Sequence, residues 1–300
     1  MRLVPAVLLL ALVGSGCSIR RAATGVVADA LAGGGGGSYA SDDDPELVRE
    51  AVPFGLKTME GLLAEQPRHT GLLAALAAGF TQYGYAFVQQ DCDARELAGR
   101  SAEARELRTR ARRLYLRARD YGLQGLEVTQ PGISARLRSL RDLPAALAPL
   151  NKEELPLVYW TAASWALAIS SGKEDMALVA ELPAPEALMR RALAIDGSWN
   201  DGAIHEFLAT FESAKPGGDL PAAREHLAMA LALGGGRKWG PLVSWAEGPL
   251  VQAQDRAEFT RWLTWVAEAD PDLSRPDRLA NVIAQRRARL LLAHADDLFN

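Results

Sequence analysis

The chain has 300 residues, enough for one large core or two smaller ones. Hydrophobic residues make up 49% and charged residues 23%, the balance of a globular protein and not of a disordered one. A formal net charge of −4 excludes the basic field that nucleic-acid binding needs, and alanine and leucine outweigh β-branched residues, which favours helix over strand.

The chain opens with one positive charge at Arg2. An apolar run over residues 3–13 follows, broken by Pro5, and then Gly14-Ser15-Gly16-Cys17. That order predicts a secretory signal peptide over residues 1–17. The run is too short to span a bilayer, which takes about 20 apolar residues. The small residues ending in Cys17 resemble a lipobox, in which the cysteine is acylated and becomes the mature N-terminus. Gly14 stands where Leu or Val is usual, and Val13 lies one place earlier, so a plain signal peptide cleaved nearby is the alternative. Ser18 follows the cysteine where an Asp would favour inner-membrane retention. The expectation is therefore a periplasmic protein held to the outer membrane through its lipid anchor only.

Residues 18–44 predict a flexible tether, with Gly33-Gly34-Gly35-Gly36-Gly37-Ser38 at its centre and a short helix over 22–32. These glycines are no phosphate loop, since no strand precedes them and no Gly-Lys-Ser/Thr follows. Asp44-Pro45 predicts a helix start, and residues 45–300 form a single helical domain in this reading. Helical periodicity then runs through residues 47–63, with Pro53 interrupting, and through 72–88, 102–121 and 155–170. It continues over 183–195, 199–214, 220–233, 241–252, 256–269 and 277–295. Gly and Pro punctuate the joins, and no stretch alternates with period two, so no sheet is expected.

Two of these helices are copies. Residues 182–195 and 220–233 align at an offset of 38 with six of fourteen positions identical. Both begin Leu-Pro-Ala and both end in Ala-Leu-Ala before a helix stop. An earlier helix over 112–122 resembles a worn third copy. The offset suits a helix-turn-helix unit of about 34 to 40 residues, and one hairpin cannot bury its own apolar face. The fold class expected is all-α, a tetratricopeptide-like solenoid of stacked hairpins. An irregular helical bundle is the alternative.

Candidates for chemistry are sparse. His69, His205, His226 and His294 are scattered, and Ala209 stands where a zincin motif opening at His205-Glu206 needs its second histidine. No metal site, cofactor or catalytic group is expected, and no serine sits in Gly-x-Ser-x-Gly. Cys92 has no intramolecular partner if Cys17 is acylated, and a buried small side chain is expected there. The arginines between Arg105 and Arg119 mix with Glu103, Glu106 and Asp120, which describes a solvated helix face; a dock for an acidic partner is the sharper alternative. Aromatic side chains offer the best hint of a ligand groove. Tyr83, Tyr85 and Phe87 share one helix, Tyr159, Trp160 and Trp165 another, and Trp199, Trp239 and Trp245 lie near helix starts. Most belong to the core, but Tyr83, Tyr159, Trp160, Trp199 and His205 are the candidates for a concave apolar groove.

Four blocks in order resemble one family. They are Val158-Tyr159-Trp160-Thr161-Ala162-Ala163-Ser164-Trp165, the helix over 187–196 followed by Trp199 and Gly202-Ala203, Gly217-Gly218-Asp219, and the C-terminal run over 279–292 closing at Asp296-Asp297-Leu298-Phe299. Together they resemble the T component of tripartite ATP-independent periplasmic (TRAP) transporters, a tetratricopeptide-like lipoprotein family, over residues 46–299. The resemblance implies a periplasmic accessory subunit that does no chemistry, docks the transporter's solute-binding protein and can form a homotrimer with a central pore. It also implies a hydrophobic small ligand. A generic tetratricopeptide scaffold of a cell-envelope complex is the alternative function.

Overall fold

A computed structural model describes residues 37–299 of the chain; Cys17 and the short helix expected over 22–32 lie outside them. The fold is all-α, with no strand among the described residues. Helix α1 (Pro45–Glu65) starts where expected: the Asp44 carboxylate accepts from the amides of Glu46 and Leu47, and Pro45 occupies the first turn, where no amide is needed. Helix α2 (Thr70–Tyr83) does not end as its apolar run suggests. It passes through a π-helical turn (Gly84–Gln89) into α3 (Gln90–Leu97). By length and composition residues 70–97 could cross a membrane, but 56% of their most apolar window is buried inside the protein, so this is a core helix.

Helix α4 (Ser101–Thr129) runs eight residues past its expected end and packs against both α2 and α7 (Leu155–Ser170). The approach to α7 depends on small residues. A Cβ on Gly122 would collide with Thr161 Oγ1 and stand 3.2 Å from Thr161 Cα; one on Gly125 would press into Leu157. Three short helices escaped the periodicity: α5 (Ile133–Ser139), α6 (Leu143–Leu147) and α8 (Met176–Val179). Each is under two turns and too short to show a repeating apolar stripe.

The repeated segments form α9 (Pro183–Asp196) and α11 (Leu220–Gly234). They bury equivalent positions: Pro185 and Ala223, Met189 and Leu227, Ala192 and Ala230. Helix α9 packs on α7, whereas α11 pairs with α10 (Trp199–Ala214) as a tight antiparallel hairpin. The start of α10 differs from expectation: Asn200 and Asp201 have left-handed backbone (φ 50° and 53°), so regular helix begins at Ala203. Gly202 follows with φ 92°, where a Cβ would lie 3.0 Å from Ala230 Cα. Only glycine meets both demands.

Helix α12 (Gly240–Trp245) runs into a second π-helical turn (Ala246–Leu250), then come α13 (Arg256–Glu268), 3₁₀ turns at Pro271–Leu273 and Arg275–Asp277, α14 (Arg278–Ala293) and α15 (Ala295–Leu298). The apolar interior falls into two clusters. The first runs from Val48 to Leu208 around Trp165, Leu72, Leu76 and Leu126; the second runs from Ala209 to Phe299 around Phe259, Leu263 and Val266.

Candidate functional site

The two π turns belong to different clusters and face one polar seam. A π turn inserts a residue into the helical register and re-aims the side chains on either side. In the first, Gly84 lets the Tyr115 ring pack where a Cβ would stand only 2.7 Å away. Tyr83, Phe87 and Val88 turn into the core while Tyr85 points out, 43% exposed. In the second, Pro249 sits inside the turn and removes one amide from the helical ladder.

Arg287, on α14, ties the turns together. Its Nε donates to Glu247 Oε2 at 2.8 Å and its Nη2 pairs with Asp93 Oδ2 at 3.0 Å. Asp93 Oδ1 also accepts from Gln89 Nε2 at 2.8 Å. Burial opposes the charge on Arg287, but Glu247 and Asp93 outweigh it and hold the guanidinium above its ordinary range. Burial pushes the Asp93 carboxyl up, with Arg287 pulling against it. Arg287 Nη1 and the Tyr115 hydroxyl are both buried without a hydrogen-bond partner, an unusual concentration of unmet polarity.

Tyr85 is open to solvent on one face, yet burial raises its phenol above the usual tyrosine range, with Glu247 and Glu206 adding to the rise. Ser244 pulls the same phenol the other way. Glu206, on α10, is half-buried and pushed up to about 7 by that burial, with Lys238 opposing. Lys238 is engaged elsewhere: its Nζ donates to the Asn200 carbonyl at 2.7 Å and lies 3.5 Å from Asp201. Behind Glu206 and Ser244 is a pocket of about 10 Å³, room for about one water molecule. Chemically the seam offers a carboxyl that changes charge near neutral pH, beside a tyrosine and a serine that can each donate or accept.

Aromatic rings border it. Tyr159 contacts Trp160 edge-on at 4.9 Å and Trp199 at 4.6 Å between ring centres. Burial raises the Tyr159 phenol, and Glu206 and Tyr85 raise it further.

Comparison with known sequences decides the family. The profile of the TRAP transporter T-component matches residues 41–299. The chain belongs to the TRAP transporter T-component family. A protein of Treponema pallidum (strain Nichols), described as uncharacterized, is 28% identical over 307 aligned positions, covering 95% of this chain and 94% of its own length. This T-component is thus part of a transport system of the cell envelope, and the family is one of transport accessories.

Of the five aromatic and histidine candidates in this T-component, the structure brings Tyr159, Trp160 and Trp199 together and keeps Tyr83 apart, buried in the first core against Phe87 at 5.5 Å. His205 meets His226, a pairing the scattered sequence positions concealed. Cys92 is fully buried, and its thiol lies 3.2 Å from the Ala104 carbonyl. Four arginines of α4 (Arg108, Arg112, Arg117 and Arg119) form separate pairs, such as Arg108 with Glu96 at 3.1 Å and Arg112 with Glu174 at 2.7 Å. Sequence reasoning missed Tyr85, Glu206, Glu247, Asp93 and Arg287 as a group. The sequence offered little signal, since Arg287 is one of four arginines on its own helix and Glu206 shares its helix with Glu212.

Proposed function

We propose that this T-component is a lipid-anchored periplasmic accessory subunit that docks the transporter's solute-binding protein and holds or passes a small ligand with a hydrophobic part at the seam. In this reading residues 1–17 are the signal peptide with Cys17 acylated, 18–44 are the tether, and 45–300 form stacked hairpins of tetratricopeptide type. The outer membrane is the anchoring surface, and the working assembly is a homotrimer. The observation that carries the ligand part is the accessible face of Tyr85 among buried polar partners, bordered by Tyr159, Trp160 and Trp199. A polar floor with aromatic walls suits a ligand with one polar end and one apolar end.

The docking part is tested by surface plasmon resonance between the detergent-solubilised lipoprotein and its cognate solute-binding protein. Saturable binding is expected, with a trimer seen by light scattering. No binding together with a monomer would end this reading. The anchor is tested separately by fractionation: Cys17→Ser should leave the membrane fraction.

A further inference from the structure

The α10–α11 hairpin carries a second cluster, distinct from the seam. His205 and His226 face each other across it with Nδ1 atoms 2.9 Å apart and rings inclined at 48°. Two nitrogen ligands bonded to one metal at about 2.0–2.1 Å are about 2.9 Å apart at a right angle and about 3.3 Å apart at the tetrahedral angle of zinc, so the two rings need to part by at most about half an ångström. We infer that His205 and His226 form a binding site for one borderline divalent ion, such as Zn²⁺, Ni²⁺ or Cu²⁺, through their Nδ1 atoms.

Three features support the site. Its ligands are of the right kind, since imidazole suits these metals, and both rings are only half-buried, so an ion and its waters can reach them. Burial lowers the pKa of both histidines, and His226 lowers that of His205 further, so lone pairs are available at neutral pH. The frame is fixed: Gly202 lets α10 press onto Ala230, and the Asp219 carboxylate caps α11 by accepting from Ala222 N at 3.0 Å. Around His226, Glu212 and Glu225 favour a cation and Arg190 opposes it. No third His, Cys, Asp or Glu joins the pair in a metal-holding group among the described residues, so water fills the other positions. In the metal-free pair one Nδ1–H donates to the other Nδ1. Binding moves that proton to Nε2 of the same ring, a change of tautomer with no net proton release.

The test is calorimetric titration of zinc chloride into the untagged full chain in detergent, beside ¹⁵N NMR of the imidazoles. One ion per chain is expected, with affinity falling at least about tenfold in His205→Ala and in His226→Ala, about 1.4 kcal/mol or more. His294→Ala should bind unchanged. In the natural chain the Nδ1–H signal of the donor ring should give way to an Nε2–H signal, so that both His205 and His226 end in the Nε2–H form, a readout that needs no variant to fold. Absence of binding, binding that survives both substitutions, or unmoved signals from the two rings would overturn the site and leave only a shared proton.

Discussion

The crossing of α4 with α7 and the seam beneath Tyr85 are both junctions between helices, but they are built on opposite rules. At the crossing, glycines Gly122 and Gly125 remove side chains so that backbones touch, and the hydroxyl of Thr161 is satisfied within its own helix by the Leu157 carbonyl. At the seam, two helices break register into π turns, a guanidinium bridges two carboxylates, and two polar atoms stay unmet. The first arrangement maximises packing and yields one rigid state. The second keeps polar groups inside the junction, two of whose atoms have no hydrogen-bond partner. That contrast is why the ligand is proposed at the seam and not at the crossing.

Substitutions can break the contrast in order of expected size. Leu126→Ala, in the first core and fully buried, should cost about 2–5 kcal/mol in urea unfolding and leave ligand behaviour unchanged in the folded fraction. Arg287→Met should cost about 2–3 kcal/mol, because it leaves Asp93 and Glu247 without their cation; a neutral or stabilising effect would show that the seam carries no electrostatic burden. Gly122→Ala should cost about 1–3 kcal/mol by forcing α4 from α7. If it proves harmless, the close approach is not what holds the crossing.

The smallest effect is the one with a sign. Burial pushes the Glu206 carboxyl up to about 7, well above the usual glutamate range near 4.5, so the folded state keeps the proton longer. Its contribution is therefore full below about pH 4.5 and is lost as pH rises to about 7. The histidine pair, with lowered pKa values, has the opposite slope below pH 6.5. Subtracting one protein from the other isolates the carboxyl. Glu206→Gln should gain stability over the natural chain as pH rises from 5 to 8, by about 1–3 kcal/mol. A difference independent of pH would remove Glu206 from the seam's electrostatics.

The same contrast explains what could be read in the chain before its structure. Asp44-Pro45 announced α1, and the 38-residue copy announced α9 and α11, because caps and apolar stripes are local signals. Even the difference between the copies is instructive. Leu188 of α9 is fully buried, and its counterpart in α11 is His226, half-buried and paired to His205. One position of a packing template has been made polar. The π turns left no such trace, since Gly84 and Pro249 look like ordinary punctuation. Arg287 and Asp93 meet across nearly two hundred residues, a juxtaposition that only tertiary packing creates.

The most direct measurement is mass spectrometry of the small molecules carried by the purified natural protein and by a Tyr85→Ala, Glu206→Gln double variant, with unfolding midpoints recorded alongside. The natural protein should release a ligand bearing one polar and one apolar end, and the variant should lose it while unfolding within a few degrees of the natural protein. Equal occupancy in both proteins, or no ligand in either, would contradict a ligand site at the seam.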